Sequence, residues 1–451
     1  MLSPASVDQA VRSLQTLSPS SPLPLAERVW TVLQALVLRS IATRRFATSV
    51  HEDVLMLDEL QARLRREDTY GESEERWHDF HVELALQFRL SVKRLLLRLC
   101  PSFQLDCSFL VREGGRGNPP PMQSETQSAK GGTDDEPLLL IEQVEIFNAW
   151  FASLSPAPLM VRAKVLPPFR LGAVATTAIR QGQVYLGVPS QAVLDANQAY
   201  NDEAGMGQLL RSLHAKFGSR DDFHELLFAL LYERLGRRER SSFAPYIALL
   251  PTEQDLQSTL PLFWTAQRIN EVIGVSALAQ EALRYQRSVL RKLAFLQSNE
   301  LVREALPLQI LNETTYLWAT AILDSRSIWW GGKRHLVPML DLVNCKELSD
   351  STLLHATTLS STDPEVAITR AADNFAQDEQ VFENYGQPNH IYFMYHGFSL
   401  PNNSHDCVKL ELAVLALEVG EWESQGLTKL LQVFRSCILF LVFLIDHFIL
   451  D

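Results

Sequence analysis

The sequence predicts a mixed α+β fold, because two regions of short strands flank one long helical region. Residues 205–306 repeat apolar side chains at helical spacing, whereas the segments on both sides contain β-type runs bounded by glycine and proline. A regular alternation of strands and helices would indicate a βαβ series, and an absence of strands would indicate a helical bundle. Neither pattern is present, so we predict short strands with a large helical insertion at about residues 200–310.

The N-terminal part of the chain reads as a helical region, which we predict over residues 1–112. From Ala26 to Arg98, apolar side chains recur at helical spacing, with Arg and Glu between them. The stretch GGRGNPPPMQSETQSAKGGTDDE that follows offers almost no apolar side chain to bury. We therefore predict a flexible linker at residues 113–140.

A core of short strands that contains the helical insertion is predicted over residues 141–417. It opens with the amphipathic helical segment VEIFNAWFASL, and three short β-type runs follow between residues 174 and 194. The segment FHELLFALLYERL is the clearest helix of the insertion. After the insertion, HLVPML, EVAITRA and EQVFENYG are predicted to be strands.

A short C-terminal helical tail is predicted over residues 418–451. It contains the apolar run CILFLVFLI, which is shorter than the roughly 20 residues that a membrane-spanning helix needs. We interpret this run as a buried helix and expect no membrane partner. An incomplete C-terminal end is the alternative.

Charge and composition exclude several classes of function. The chain carries 41 Lys and Arg against 53 Asp and Glu, and the net charge of -12 has the wrong sign for a protein that neutralises nucleic-acid phosphates. The five cysteines form no CxxC pair, so neither a structural zinc site nor a disulfide framework is indicated.

The N-terminus lacks the features of a secretory signal, which predicts a cytoplasmic or nuclear protein. Its serine-rich opening leaves a plastid location open.

Three polar clusters are candidates for a functional site. The first surrounds Gly172 in FRLGAVA, where a glycine lets a ligand or a second backbone approach closely. The second is PMLDLVNC, where Asp341 and Asn344 are embedded in an apolar, strand-like run and need partners if they are buried. The third begins with ENYGQPN at 383–389 and continues through GF to NNSHD at 402–406. Taken singly, these residues would most often be turn formers and satisfied core polar groups.

Taken in order, the clusters resemble those of the SET-domain methyltransferases of the Rubisco large-subunit and actin-histidine type. That family has a Gly-containing strand pair, a helical insertion, D-x-x-N-H, Y-G, N, G-F and N-N-S-H-D, and this chain carries DLVNC, YG, N, GF and NNSHD in the same order. The segments SSFAPYIALLP and TTYLWATAILDSR match the family as well. The resemblance covers about residues 145–417 and implies the β-clip SET fold.

The resemblance implies that S-adenosylmethionine is the cofactor and that no metal is needed. Arg326 matches the family arginine that holds the cofactor carboxylate, for which a guanidinium offers bidentate geometry. Asn344 is expected to bond the amino-acid end of the cofactor, and Phe398 is expected to pack on its adenine ring. The cofactor-binding residues that the resemblance implies are Leu171, Gly172, Arg326, Asp341, Asn344, Cys345 and Phe398.

Tyr385 is the residue that the resemblance implies for catalysis, since the family tyrosine lies beside the transferring methyl group. The implied reaction is N-methylation of a lysine, or alternatively a histidine, in a protein substrate. A lysine amine must first lose its proton, which desolvation and the positive charge of the cofactor favour, whereas a histidine ring has an ordinary pKa of about 6.5. We expect the protein to be a monomer.

Two departures from the family pattern keep other classes of function open. Cys345 stands where the family has histidine, and Arg170 stands where it has glycine, so the Arg170 side chain must point away from the cofactor or block it. A catalytically silent SET-like module that binds proteins is therefore the alternative to an enzyme. A scaffold that binds partners through its N-terminal helices is a third class. Those helices also weakly resemble the closing helices of the family's substrate-binding domain, and we expect them to pack on the core.

Overall fold

The structure of the protein is a computed structural model. It describes residues 50–66, 83, 86–94, 96–97, 136–167, 169–203, 205–273, 277–348, 357–361, 363, 365–401 and 403–407. No helix among these residues is long and apolar enough to cross a membrane. The predicted tail at 418–451, with its run CILFLVFLI, lies outside the described residues, as does most of the predicted region 1–112.

The strands are short, as the sequence predicts, and they lie before and after the helical insertion. In chain order they are β1 (Val161–Leu166), β2 (Phe169–Ala175), β3 (Val184–Pro189), β4 (Leu194–Asp195), β5 (Ile328–Trp330), β6 (Lys333–Leu336), β7 (Asn344–Cys345), β8 (Thr357–Leu359), β9 (Val366–Arg370) and β10 (Phe382–Glu383).

In the described part of the chain, two of the four sheets join strands from the two sides of the insertion. β1 and β2 form an antiparallel pair, β9 lies between β3 and β8, and β6 lies between β4 and β5. β7 and β10 pair in parallel, with Asn344 opposite Phe382 and Cys345 opposite Glu383. This last pair brings the segment DLVNC beside the segment ENYG, although the two are far apart in sequence.

The helices fill the insertion and flank the sheets. They are α1 (Val50–Arg66), α2 (Glu136–Ser153), α3 (Ala196–Asn201), α4 (Gly207–Phe217), α5 (Asp222–Leu231), α6 (Ala244–Ile247), α7 (Glu253–Thr259), α8 (Ala266–Ile273), α9 (Ala277–Ser298), α10 (Glu300–Ala305), α11 (Glu313–Arg326) and α12 (Asn389–Ile391). Two π-helical turns follow α5 and α12, at Tyr232–Arg237 and Tyr392–His396. The predicted α+β fold with a large helical insertion is confirmed.

One hydrophobic cluster joins the helices to the small sheets. Phe147 and Phe151 of α2, Tyr185 of β3, Leu227 of α5 and Trp318 of α11 all belong to it and are almost fully buried. Burying a large apolar side chain contributes about 1.5–3 kcal/mol. The cluster therefore fixes α11, and with it the position of Arg326 at the last residue of that helix.

Two local predictions differ from the structure. Helix α2 begins at Glu136, inside the stretch 113–140 that was predicted to be linker, and its first turns contain leucines, which favour helix formation. The strand-like run around Asp341 is instead a 3-10 turn at Leu340–Leu342, followed by the two residues of β7. The turn follows Met339, whose φ of 74° lies in the left-handed region and reverses the chain direction.

The described N-terminal residues pack on the core, as expected from their sequence. The ring of Phe88 lies 5.3 Å from that of Phe393. The hydroxyl of Ser91 donates a hydrogen bond to the carboxylate of Asp406. Lys93 and Asp53, both fully buried, form an ion pair of 2.5 Å that connects this stretch to α1.

Candidate functional site

Asp341 lies at the centre of the candidate site. Its Oδ2 accepts a 2.9 Å hydrogen bond from the hydroxyl of Tyr246 and a 3.3 Å bond from Nη1 of Arg326. The same nitrogen donates to the backbone oxygen of Asp341 at 3.0 Å. The Asp341 side chain is fully buried, whereas that of Arg326 is one-fifth exposed (20%). The arginine can therefore reach both the buried carboxylate and a ligand.

Burial opposes the charge on Asp341. Desolvation raises the pKa of the carboxyl above its usual value, and the nearby Arg326 guanidinium and the Tyr246 hydroxyl counteract only part of that rise. Oδ1 of Asp341 is buried and has no hydrogen-bond partner among the residues that the structure describes. A buried carboxylate oxygen without a partner is costly, which is a reason to expect a donor from a ligand at this point.

Gly172 and Asn344 form the second part of the site. The side-chain amide of Asn344 donates a 2.8 Å hydrogen bond to the backbone oxygen of Leu171, so the predicted pair Leu171 and Asn344 is brought into direct contact. A Cβ on Gly172 would lie 2.7 Å from Nε2 of Gln380 and 3.1 Å from Nδ2 of Asn344. The absence of a side chain at residue 172 therefore keeps room beside two amide groups.

Gln380 is a site residue that sequence reasoning missed. Its Nε2 is buried and has no hydrogen-bond partner within the described part of the chain. Its position follows from the backbone, because Gln380 forms an isolated antiparallel bridge with Val174 of β2. The signal in the sequence is a polar side chain inside the predicted strand EQVFENYG, of which Gln380 is the second residue.

Tyr385 contacts the same turn. Its hydroxyl donates a 2.5 Å hydrogen bond to the backbone oxygen of Val343, the residue before Asn344. Burial raises the pKa of the phenol well above its usual value of about 10, and the nearby Cys345 and Glu383 raise it further. The phenol is therefore neutral and keeps its proton.

The glycine of the Y-G segment has a conformational role. Gly386 has a φ of 66°, in the left-handed region that residues other than glycine, asparagine and aspartate rarely adopt. Its backbone nitrogen donates a 2.9 Å hydrogen bond to Oδ1 of Asn384. The turn that results directs Tyr385 toward Val343 and sends the chain into α12.

An aromatic cluster surrounds Tyr385. The rings of Tyr392 and Phe398 are stacked with centroids 4.7 Å apart, and Tyr385 lies 6.4 Å from Phe398. The ring of His396 lies 5.7 Å from that of Tyr385. Burial lowers the pKa of His396 to about 4, so the imidazole facing Tyr385 is neutral at physiological pH. Because its ring stacks on that of Phe398, Tyr392 covers one face of Phe398, and Phe398 is half-buried.

The two departures from the family pattern do not fill the space at Gly172. Nη1 of Arg170 donates a 2.6 Å hydrogen bond to the backbone oxygen of Leu249, and its Nε lies 3.4 Å from the carboxylate of Asp255, so the side chain points into the insertion. The thiol of Cys345 is buried beside the hydroxyl of Tyr392, at 3.5 Å. Burial raises the pKa of this thiol to about 11, which keeps it protonated.

The asparagine that follows the Y-G segment organises the NNSHD segment. The side-chain nitrogen of Asn389 donates to the backbone oxygen of Leu400, to Oδ2 of Asp406 and to the hydroxyl of Ser91. Its Oδ1 accepts from Asn403 at 3.3 Å. Asn389 is fully buried. These contacts hold the end of the core in place, and Asn402 of the same segment lies outside the described residues.

The structure therefore brings most of the predicted residues into one neighbourhood around residues 341–345. Leu171, Gly172, Arg326, Asp341, Asn344, Cys345 and Tyr385 meet there through the contacts given above, and Phe398 adjoins Tyr385. Sequence reasoning missed Tyr246, Gln380 and His396. Within the described ranges, no group of three or more His, Cys, Asp or Glu side chains is arranged to hold a metal ion.

Comparison with known proteins gives relatives of one kind. No family model matches the chain. Over 257 residues the chain is 26% identical to the actin-histidine N-methyltransferases of Gallus gallus, Callithrix jacchus and Homo sapiens, an alignment that covers 54% of this chain and 40% of each relative. The chain thus matches less than half the length of these curated relatives.

Solved structures with a similar fold come from Rubisco LSMT. The SET domain of LSMT bound to lysine and AdoHcy has a TM-score of 0.49 and 21% identity, and it covers 58% of both chains. Rubisco LSMT bound to AdoMet has a TM-score of 0.47 and 21% identity, covering 58% of this chain and 57% of the other. The resemblance to methyltransferases of this type, which the motifs predicted, is confirmed by the sequence relatives, the actin-histidine N-methyltransferases.

Proposed function

We propose that the protein is an S-adenosylmethionine-dependent protein N-methyltransferase. The observation that carries the proposal is the convergence of Tyr385, Asn344 and the Arg326–Asp341 pair on one short turn, from segments far apart in sequence. The sequence relatives named as actin-histidine N-methyltransferases support the same reaction class.

The polar atoms around Gly172 fit the amino-acid end of S-adenosylmethionine. That end carries an ammonium group and a carboxylate. Oδ1 of Asp341 is a buried acceptor and Nε2 of Gln380 is a buried donor, and neither has a partner among the described residues. Arg326 uses only Nη1 for its contacts with Asp341, so its Nη2 and Nε would hold the carboxylate. Asn344 and Gly172 would border the same group.

The chemistry then depends on placement rather than on an acid or a base. S-adenosylmethionine supplies a methyl group on a positively charged sulfur, which must meet a nitrogen lone pair in line. Tyr385 is neutral and its proton is committed to Val343, so the phenol oxygen keeps lone pairs that can accept weak hydrogen bonds near the reacting atoms. The aromatic cluster of Tyr392, His396 and Phe398 excludes water from one side of that oxygen.

The acceptor is a neutral nitrogen of a protein side chain. We propose a lysine amine, with a histidine ring nitrogen as the alternative that the names of the sequence relatives favour. A lysine needs a lowered pKa before it can attack, whereas a histidine is largely neutral at pH 7 without help. The expected monomeric state and the cytoplasmic, nuclear or plastid location stay predictions.

A silent binding module is the competing proposal, and it rested on Arg170 and Cys345. Arg170 bonds to the insertion instead of filling the space beside Gly172, and the Cys345 side chain lies in the core against Tyr392. Both observations support an enzyme. The polar residues Arg326, Asp341, Asn344 and Tyr385 support it as well, since a silent module would need none of them in one place.

The proposal is tested by transfer of a labelled methyl group from S-adenosylmethionine to proteins of a cell extract. We expect labelled bands with the wild-type chain and their loss with Tyr385→Phe. Tyr200→Phe is the matched control, because that hydroxyl bonds His214 in the insertion and not the site. Amino-acid analysis of the labelled band separates methyl-lysine from methyl-histidine. Absence of labelling by the wild type, or equal labelling by Tyr385→Phe, would contradict the proposal.

A further inference from the structure

A cavity outside the candidate site is lined in part by His396, whose ring also contacts that of Tyr385. Its volume is about 450 Å³, and it is enclosed by α9, α11, the β5–β6 hairpin and the π-helical turn at Tyr392–His396. Five large aromatic side chains line it: Phe223, Tyr285, Tyr316, Trp329 and Tyr395. None of these residues has a role in the candidate methyl-transfer site.

Two cations line this cavity without a carboxylate in ion-pair contact. Lys292 comes from α9 and Arg334 from β6. Neither forms an ion pair with any described residue, although ten other ion pairs involving described residues are present elsewhere. Unpaired cations at an exposed surface are ordinary, but two that converge on one concave, aromatic space create a positive potential inside it.

Arg334 is held in position before any ligand arrives. Its guanidinium lies 4.4 Å from the ring centre of Trp329 and 5.1 Å from that of Phe223. Its backbone nitrogen donates a 3.0 Å hydrogen bond to the carboxylate of Asp222. Stacking on two aromatic rings restricts the side chain and leaves the edge of the guanidinium for hydrogen bonds with an anion.

Asp324 is the acid of the cavity, and it offsets only part of this charge. Tyr285 donates a hydrogen bond to its Oδ2. Burial raises the pKa of Asp324 to about 6, and the nearby Arg334 and Lys292 lower it less than burial raises it. At pH 7 a carboxyl with this pKa is mostly ionised, so one acid against two cations leaves the lining of the cavity with a net positive charge.

A buried hydroxyl inside the cavity is also without a partner. Thr320 lies on α11, one turn before Asp324, and it is 1% exposed. Thr320 lines the cavity, and its Oγ1 has no hydrogen-bond partner in the described part of the chain. A hydroxyl buried in this way costs free energy unless a ligand or water bonds it, so it points to an occupant that can accept a hydrogen bond.

We propose that this cavity binds an anionic side chain of the protein segment that is methylated. The link to the segment rests on the proposed function: His396 lines the cavity and also contacts the ring of Tyr385 at 5.7 Å, so a residue in the cavity and an acceptor beside Tyr385 would be close neighbours. Lys292 and Arg334 bind the anion, Thr320 donates to it, and the aromatic walls pack on its apolar stem.

Binding is tested with three small probes that differ only in charge and shape. They are N-acetyl-glutamate methylamide, N-acetyl-phosphoserine methylamide and the neutral N-acetyl-glutamine methylamide. The indole N–H signal of Trp329, assigned among the eight tryptophans with Trp329→Phe, reports on the cavity wall. We expect the anionic probes to shift this signal and the neutral probe to leave it unchanged. The two anionic probes distinguish a carboxylate from a phosphorylated side chain.

Charge-removing variants provide the second arm. Lys292→Gln and Arg334→Gln should each lower the affinity for the anionic probes by about tenfold, as expected for the loss of one charge-assisted contact. Arg334→Lys should restore part of the affinity if charge is what matters. Arg291→Gln is the matched control, because Arg291 is adjacent on α9 and does not line the cavity. Equal binding of the neutral probe, no shift with either anion, or unchanged affinity in both variants would overturn the anion site.

Methyl transfer provides the third arm and separates this proposal from the proposed function. In the labelled-extract assay, Lys292→Gln and Arg334→Gln should raise the KM for the protein substrate with kcat nearly unchanged. A KM equal to that of the wild type would overturn the link to the methylated segment. If the wild type labels no protein while the anionic probes still bind, the methyltransferase assignment fails and the anion site stands.

Discussion

The hydroxyl of Tyr385 donates a hydrogen bond of 2.5 Å to the backbone oxygen of Val343, directly before Asn344. This contact connects the ENYG segment to the DLVNC segment, which also pair as parallel strands through β7 and β10. Asn344 in turn donates to Leu171 of β2. Three segments from distant parts of the chain are thus fixed at one turn, and the proposed cofactor site depends on all three.

Arg326 is expected to stabilise the protein because it faces a buried carboxylate. Arg326→Met would leave Asp341 with the Tyr246 hydroxyl as its one described partner, and the free energy of unfolding should fall by about 3 kcal/mol. Adding Asp341→Asn to this variant should recover part of the loss. Urea unfolding measures both changes, and an Arg326→Met protein as stable as the wild type would contradict the ion-pair description.

Gly172 is expected to matter for the cofactor more than for the fold. A methyl group at residue 172 would meet the ends of the Gln380, Leu166 and Asn344 side chains, all of which can shift. The two amides would then leave the places assigned to the amino-acid end of the cofactor. Gly172→Ala should weaken S-adenosylmethionine binding by about tenfold, or 1.4 kcal/mol. Calorimetric titration gives the dissociation constant. Binding as tight as in the wild type would remove Gly172 from the site.

The site residues that the sequence predicts lie in short motifs, whereas those it misses are placed by contacts between distant parts of the chain. Asp341, Asn344 and Tyr385 were identified because each lies in a short motif whose residue types and order can be read along the chain. Tyr246 was not, because its contact with Asp341 joins residues 95 positions apart and depends on how the insertion packs. Gln380 was missed for the same reason, because its position beside Gly172 depends on an isolated bridge to β2.

The fold was predictable at the level of class, less so at the level of local turns. Alternating and helical periodicities located the strands and the insertion. The run around Asp341 has the composition of a strand, yet the φ of 74° at Met339 makes it a 3-10 turn, and this tertiary effect has no signature in the hydrophobic pattern. The helix at Glu136 could have been found, because PLLLI is apolar and continues into the next helical segment.

His396 is expected to make stability depend on pH. Its pKa is lowered to about 4 in the folded protein, against about 6.5 in an unfolded chain. Between these two pKa values the unfolded state binds more protons than the folded state. The contribution of neutral His396 to the free energy of unfolding is therefore fully present above about pH 6.5 and is lost as the pH falls toward 4. The difference in unfolding free energy between the wild type and His396→Gln should therefore shrink or reverse across this range. A difference independent of pH would contradict a neutral, buried His396.

Ser91 is expected to couple the N-terminal helical residues to the core. Its hydroxyl donates to Asp406 and accepts from Asn389, so Ser91→Ala leaves a carboxylate and a buried amide each with one fewer bond. The free energy of unfolding should fall by about 1–3 kcal/mol. Ser298→Ala is a control, because among the described residues that exposed hydroxyl bonds the backbone oxygen three residues earlier and nothing in the core. Equal stability of the wild type and Ser91→Ala would show that the N-terminal residues do not support the core.

The central claim is that S-adenosylmethionine binds at the turn where Arg326, Asp341 and Asn344 meet. Calorimetric titration of S-adenosylmethionine into the wild-type chain and into Asn344→Ala tests it most directly. The account predicts one binding site in the wild type and an affinity at least about tenfold lower in the variant, because the bond to Leu171 and the amide beside Gly172 are both lost. No heat of binding in the wild type, or the same affinity in both proteins, would contradict it.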